Sequence, residues 1–169
     1  MALHVALIQP KIPPNTGNIA RLCAATDTPL HLIAPLGFSL DDRDVKRAGL
    51  DYWDKTDLWV HPDWFAFGDA ISRDRCLYFS ANAGNDYRDA PYRDRAVLVF
   101  GSETEGMPPR ILEKHPERCF RIPMPGEVRS LNLANAVSIV LYEALGRLPP
   151  DPLRRPGAEA RLPEASDPD

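Results

Sequence analysis

Short, nearly unbroken apolar runs alternate along this chain with segments whose apolar residues recur at three and four. Leu3-His4-Val5-Ala6-Leu7-Ile8 is apolar almost throughout, the pattern of a strand covered on both faces. Leu30 to Ala34 (ended by Pro35), Leu58 to Val60, Arg75 to Ala81, Ala96 to Phe100 and Cys119 to Ile122 read the same way. Of these, Ala96-Val97-Leu98-Val99-Phe100 is the best fitted to the centre of a sheet. Between them, Ile19, Leu22, Cys23 and Thr26 mark one face of a helix that Asn15 or Thr16 can cap, with Asn18 and Arg21 together on another face. Asp41 to Gly49 reads as a short helix, acidic at its start and basic at its end. Asp63 to Ile71 and Pro109 to Lys114 are two more, with the aromatics of the 58–71 region expected in the core. Asp86 to Asp94 reads as a polar connection. From Asn132 onward Leu133, Ala136, Val137, Val140, Leu141, Ala144, Leu145 and Leu148 define a long final helix. Strands alternating with helices predict an α/β fold, a mostly parallel sheet with helices on both faces.

Composition narrows this picture. At 169 residues, 44% hydrophobic and 26% charged, the chain is expected to fold as one domain over residues 1–148. Residues 149–169, rich in Pro, Ala and charge without a period, are expected to form a disordered tail. Cys23, Cys76 and Cys119 stand far apart, which argues against a disulfide framework or zinc site and fits a cytoplasmic setting. No apolar run approaches the ~18 residues of a membrane span, and the N-terminus lacks a signal-peptide layout. A net charge of −4 is unsuited to coating nucleic acid wholesale but leaves room for a local basic patch. The four histidines are scattered without ligand spacing, so no metal is expected.

In a parallel sheet, ligands bind beyond the carboxyl ends of the strands. Four loops rich in Gly, Asn, Ser or Pro qualify: Pro10 to Asn18, Ser80 to Asn85, Gly101 to Pro108 and Pro123 to Asn132. Together they predict one polar, glycine-rich crevice for a small ligand. No G-x-S-x-G elbow, phosphate-binding G-x-x-x-x-G-K-S/T loop or G-x-G-x-x-G turn is present. Ser130, Asn132 and Asn15 suit either a ligand or simple helix capping. The charged 41–49 helix suits either a phosphate patch or a solvated face.

Three stretches together resemble a known family. Pro13-Pro14-Asn15-Thr16-Gly17-Asn18-Ile19-Ala20-Arg21-Leu22-Cys23, Leu98 to Pro108 with its Gly101-Ser102-Glu103-Thr104-Glu105-Gly106, and Arg121 to Val137 with its Ser130-Leu131-Asn132-Leu133 match three motifs in order and spacing. The family is the SPOUT superfamily of RNA 2′-O-methyltransferases. Within it, the compact length is most similar to the TrmL-like subgroup, which methylates the ribose of the wobble nucleotide in tRNA.

The resemblance implies a C-terminal deep trefoil knot and a homodimer. It implies S-adenosylmethionine as methyl donor, with S-adenosylhomocysteine as product, contacted by Ser80, Ala81, Gly101, Ile122, Ser130, Leu131 and Leu133. Relatives often carry Thr and Lys after the fourth strand, where this chain reads Ser80-Ala81-Asn82-Ala83-Gly84. No contact through a long basic side chain is therefore implied there. Arg21 matches the family's catalytic arginine, and Asn15, Asn18, Glu103, Ser130 and Asn132 would orient it and the ribose. Lys11, Arg21, Arg43, Lys46, Arg47 and Arg129 are the candidates for an anticodon-stem surface assembled across two subunits. Methylation of another tRNA or rRNA site, a non-catalytic RNA-binding protein on the same scaffold, and a flavodoxin-like nucleotide binder are the competing readings.

Overall fold

Strands β1 (His4–Ile8), β2 (Leu30–Ile33), β3 (Leu58–His61), β4 (Cys76–Phe79), β5 (Asn85–Asp86), β6 (Val97–Phe100) and β7 (Cys119–Arg121) form one sheet in a computed structural model. The structure describes residues 3–41, 43–49 and 52–149; residues 150–169 of the expected tail lie outside the described residues, as does the side chain of Lys46. The strand order is β3-β2-β1-β6-β4-β7-β5, and each neighbouring pair is parallel. The helices are α1 (Pro13–Ala25), α2 (Arg43–Gly49), α3 (Trp64–Ala70), α4 (Pro109–Lys114) and α5 (Leu133–Gly146).

Alternation along the strands divides the core in two. Val5 and Leu7 of β1 join Leu30, Leu32, Leu98 and Phe100 under Ile19 and Cys23 of α1 and Val137, Leu141 and Ala144 of α5. Ala6 and Ile8 point the other way and join Ile33, Val97 and Val99 under Phe67 and Ile71, with Ile111 and Leu112 of α4 packed on this layer. Both faces are covered at the centre of the sheet, so β4 and β6 carry buried apolar residues at every position rather than at every second one.

Four expectations from sequence need correction. The first concerns α1, which begins at Pro13 after Ile12, whose side chain makes no capping bond. Proline suits the first helical positions because their N–H groups would be free anyway. Asn15 and Thr16 therefore lie inside the helix and do not cap it. Second, the polar connection after β4 contains β5, which pairs with β7. Asn85 Nδ2 donates to the carbonyls of Pro116 (2.9 Å) and Cys119 (3.0 Å), so this strand is anchored by a polar side chain and leaves no hydrophobic signal.

Third, only part of the aromatic set between 58 and 71 is core. Phe67 is fully buried, but Trp59 on the edge strand is 52% exposed and Phe65 is 78% exposed. Fourth, three of the four histidines are not scattered in space. The register of β1, β2 and β3 sets His4 Nδ1 2.9 Å from His31 Nε2, and His31 Nδ1 2.9 Å from His61 Nε2. The rings stack side by side and bond to one another rather than converging on a point. Among the described residues no group of three or more His, Cys, Asp or Glu could hold a metal ion. Burial lowers the pKa of His31 to about 3, with its two histidine neighbours and Arg75 acting in the same direction. Burial also lowers those of His4 and His61.

Candidate active site

Because the strands are parallel, the loops leaving β1, β4, β6 and β7 meet at one edge of the sheet, where they line a cleft of about 770 Å³. The loop after β6 is its most constrained wall. A Cβ on Gly101 would lie 2.1 Å from the Gly106 carbonyl carbon and 2.2 Å from the Met107 nitrogen. Only glycine lets the strand end press against the returning backbone this closely. Gly106 returns the chain with φ +67°, and its N–H donates to the Ser102 carbonyl at 2.9 Å. The Ser102 hydroxyl accepts the Glu105 N–H at 3.1 Å, closing the turn around Glu103.

Glu103 reaches across to the loop after β1. Its Oε2 accepts the Lys11 N–H at 2.8 Å, and its Oε1 accepts the Ile12 N–H at 3.1 Å and Asn15 Nδ2 at 3.3 Å. Asn15 is buried, at 6% exposure, and its Oδ1 accepts from Asn132 Nδ2 at 3.0 Å. Asn132 Oδ1 in turn accepts the Asn135 N–H at 3.2 Å and caps α5. The chemistry dictates every orientation in this chain. A carboxylate only accepts, so Asn15 must offer it the amide NH₂ and turn its oxygen to Asn132. Asn132 must then donate, which leaves its own oxygen for the free N–H of the helix start. Capping and site construction are one arrangement at Asn132, whereas Asn15 caps no helix and links Glu103 to Asn132.

The floor of the cleft is apolar. Phe79 and Phe100 stack at 5.1 Å between ring centroids, with Met107, Ile122, Leu131 and Leu133 around them. Ser80, Ala81, Gly101 and Ser130 supply small or polar edges, and Arg129 is the cation among the lining residues. A concave apolar floor with a few fixed polar groups suits one small ligand that carries a flat ring.

All seven residues expected to contact a cofactor line this cleft, as do Asn15, Glu103, Ser130, Asn132 and Arg129. The others lie elsewhere. Arg21 projects from the exposed face of α1, its guanidinium carbon 5.1 Å from the centroid of the Tyr52 ring, and is absent from the lining. Asn18 is likewise exposed and outside it, and Arg43 and Arg47 are exposed on α2. Lys11 Nζ pairs with Glu105 at 3.3 Å. Sequence reasoning missed Phe79 and Phe100, which read as ordinary strand residues, and did not single out Met107 within the Gly101 to Pro108 loop. The first two could have been found as the residues at or just before the ends of strands that feed the glycine-rich loops.

Residues 2–142 match the profile of the SpoU rRNA Methylase family. A Burkholderia cenocepacia protein named tRNA (cytidine(34)-2′-O)-methyltransferase is 47% identical over 144 residues, covering 83% of this chain and 92% of its own. A solved structure described by the 2-OH methylation of C/U34 on tRNA superposes with a TM-score of 0.80 at 46% identity, covering 86% of this chain and 95% of the other. An rRNA methyltransferase from Sinorhizobium meliloti, solved with AdoMet bound, superposes with a TM-score of 0.73 at 26% identity over 85% of this chain and 55% of its own. With a family profile matched over most of its length and a relative of nearly half its sequence, the chain belongs to the SpoU rRNA methylase family of RNA methyltransferases.

Proposed function

We propose that this protein methylates the ribose 2′-oxygen of the wobble nucleotide of tRNA, a cytidine or a modified uridine at the first anticodon position, using S-adenosylmethionine. One observation carries the reading. The hydrogen-bonded chain Glu103–Asn15–Asn132 joins the three motif loops around one ring-sized cleft, in a protein nearly half identical to a relative named for that nucleotide.

The cleft fits the donor in size, in its stacked aromatic floor and in the backbone cradle at Gly101. Ser80, Ala81, Gly101, Ile122, Ser130, Leu131 and Leu133 would hold it. When bound, the donor supplies an electrophilic methyl on a sulfonium, with a leaving group that departs neutral. The protein's share of the work is then alignment and activation of the hydroxyl. A guanidinium stays protonated, so Arg21 acts by lowering the hydroxyl's pKa and seating the neighbouring phosphate, and the proton leaves to phosphate or water. Ser130 and Asn132 face the ribose from the cleft wall. Asn15 and Glu103 hold that wall, because the acceptor oxygens of Glu103 are committed to three donors.

The same reading includes a trefoil knot formed by the loops around the cleft, a homodimer, and a cytoplasmic enzyme whose methyltransferase domain spans residues 1–148. Two observations support the dimer. Helix α5 leaves Ile139 and Tyr142 exposed beside buried Val140, and Arg21 lies off the cleft of its own chain. A second copy that packs on α5 would cover the first and complete the second. Lys11, Arg43, Lys46, Arg47 and Arg129 would then meet the RNA. With few phosphates engaged, binding weakens with salt along a shallow slope.

Labelled methyl transfer to tRNA from cells lacking the protein, followed by mapping of the modified nucleotide, tests this reading. Methylation of the first anticodon nucleotide supports it. A methyl group elsewhere in the tRNA would change the substrate but keep the chemistry, and cofactor binding without transfer would point to a non-catalytic RNA-binding protein.

A further inference from the structure

Among the described residues, Arg21 meets an aromatic ring and no acid. Its guanidinium lies over Tyr52, Lys55 Nζ lies 5.7 Å from the same ring centroid, and among the described residues no carboxylate pairs with Arg21. The ring is built into place. Tyr52 precedes the 3₁₀ turn Trp53–Lys55, and Trp53 packs against the core layer that contains α1. The Thr56 hydroxyl lies 3.0 Å from the Tyr52 carbonyl and 3.0 Å from the carbonyl of Ala20, the residue before Arg21. The Lys55 N–H donates to the same Tyr52 carbonyl at 2.9 Å. One shared hydroxyl thus ties the backbone that carries the ring to the backbone that carries the arginine.

We propose that Tyr52 is a positioning residue for Arg21 in methyl transfer. The inference rests on the reading of Arg21 as the group that acts on the ribose hydroxyl. A carboxylate would order the guanidinium but would cancel the charge that the reaction uses. A ring face attracts the same cation without neutralising it and leaves its in-plane N–H fork free for anionic oxygens. Lys55 brings a second cation to the same ring. The pair is suited to one RNA phosphate beside the reacting ribose.

Single-turnover methyl transfer at saturating tRNA and S-adenosylmethionine tests this with Tyr52→Leu, Tyr52→Phe, Arg21→Ala and the Arg21→Ala/Tyr52→Leu double variant. Tyr52→Leu keeps apolar cover but has no ring face, and should lower the saturated rate about tenfold or more while cofactor affinity is unchanged. Tyr52→Phe should restore the rate to within about threefold of the unaltered protein, since the face is what matters. In the Arg21→Ala background, Tyr52→Leu should have no further effect. Ring-current shifts of the Arg21 side-chain protons should be present with Tyr or Phe at position 52 and absent with Leu.

The outcomes separate the two ideas. An active Arg21→Ala variant sinks the reading of Arg21 itself. An inactive one, with Tyr52→Leu at full rate, overturns the role of Tyr52 and leaves that reading standing. Equal losses in the Phe and Leu variants would assign the effect to the hydroxyl, and a loss cured by more tRNA would make Tyr52 an RNA contact; either overturns the proposal. If Tyr52→Leu does not fold, stepwise fluorination of a phenylalanine at position 52 decides. A rate that falls with each fluorine supports the proposal, and a constant rate contradicts it.

Discussion

The loops around the cleft and the outward face of α1 treat their polar residues in opposite ways. In the cleft, Glu103, Asn15 and Asn132 satisfy one another and the adjacent backbone, so the wall is complete within a single chain. On α1, Arg21 rests on a ring, exposed, with its N–H fork uncommitted to any described carboxylate. One region is pre-organised to receive a small molecule. The other holds a charge in readiness for something that has yet to arrive. On the proposed reading, donor binding and the activation of the acceptor are built on separate parts of the scaffold, and they should fail separately.

Arg21→Ala gives the sharpest separation. It should abolish methyl transfer, by about a thousandfold or more, and leave S-adenosylmethionine affinity nearly unchanged in a titration. Gly101→Val should do the reverse and affect the fold as well. The added carbons meet the Gly106–Met107 backbone itself, so the loop must open, at a cost of about 3 kcal/mol or more, and cofactor binding is lost with it. Calorimetry together with cofactor titration would show both losses; unaltered affinity would remove Gly101 from the site.

Asn132→Ala is milder. It removes the cap of α5 and leaves Asn15 Oδ1 without its donor, together about 2 kcal/mol, read as a drop of a few degrees in Tm with weakened cofactor affinity. The smallest effect is one of pH and lies away from both regions. His31 is 1% exposed and its pKa is lowered to about 3, whereas in the unfolded chain it titrates near 6.5. The unfolded state therefore takes up this proton first, and stability is complete above about pH 6.5 and declines as pH falls from there toward 3. A loss of about 1 kcal/mol per pH unit, or about 3 °C in Tm, should appear between pH 6 and 5 and flatten in His31→Leu.

Much of the fold was legible because its strands are covered on both faces. Runs such as Ala96 to Phe100 stand out, and Asp63 and Asn132 open helices as cap chemistry requires. What the pattern hid was set by partners distant in sequence. Asn85 makes a strand through carbonyls 31 and 34 residues away, and the histidines of β1, β2 and β3 meet only through strand register. The cleft loops were legible one by one from their glycines and amides. Their joining by Glu103, 88 positions from Asn15, was not. Arg21 was legible as a residue of interest, but its distance from the cleft was not, since spacing along one helix says nothing about which loops lie beside it.

On the proposed reading, the two parts of the reaction site come together only when the cleft of one chain meets the Arg21 of a second. Co-expression of Arg21→Ala with Ser130→Trp, which fills the cleft, tests this most directly. Each variant alone should be inactive. The mixed dimers should carry one intact site apiece and recover about one quarter of full activity, the share expected of a two-fold assembly in which half the dimers are mixed. Methyl transfer that stays at the level of the single variants would contradict the account and place Arg21 and the cleft in the same chain.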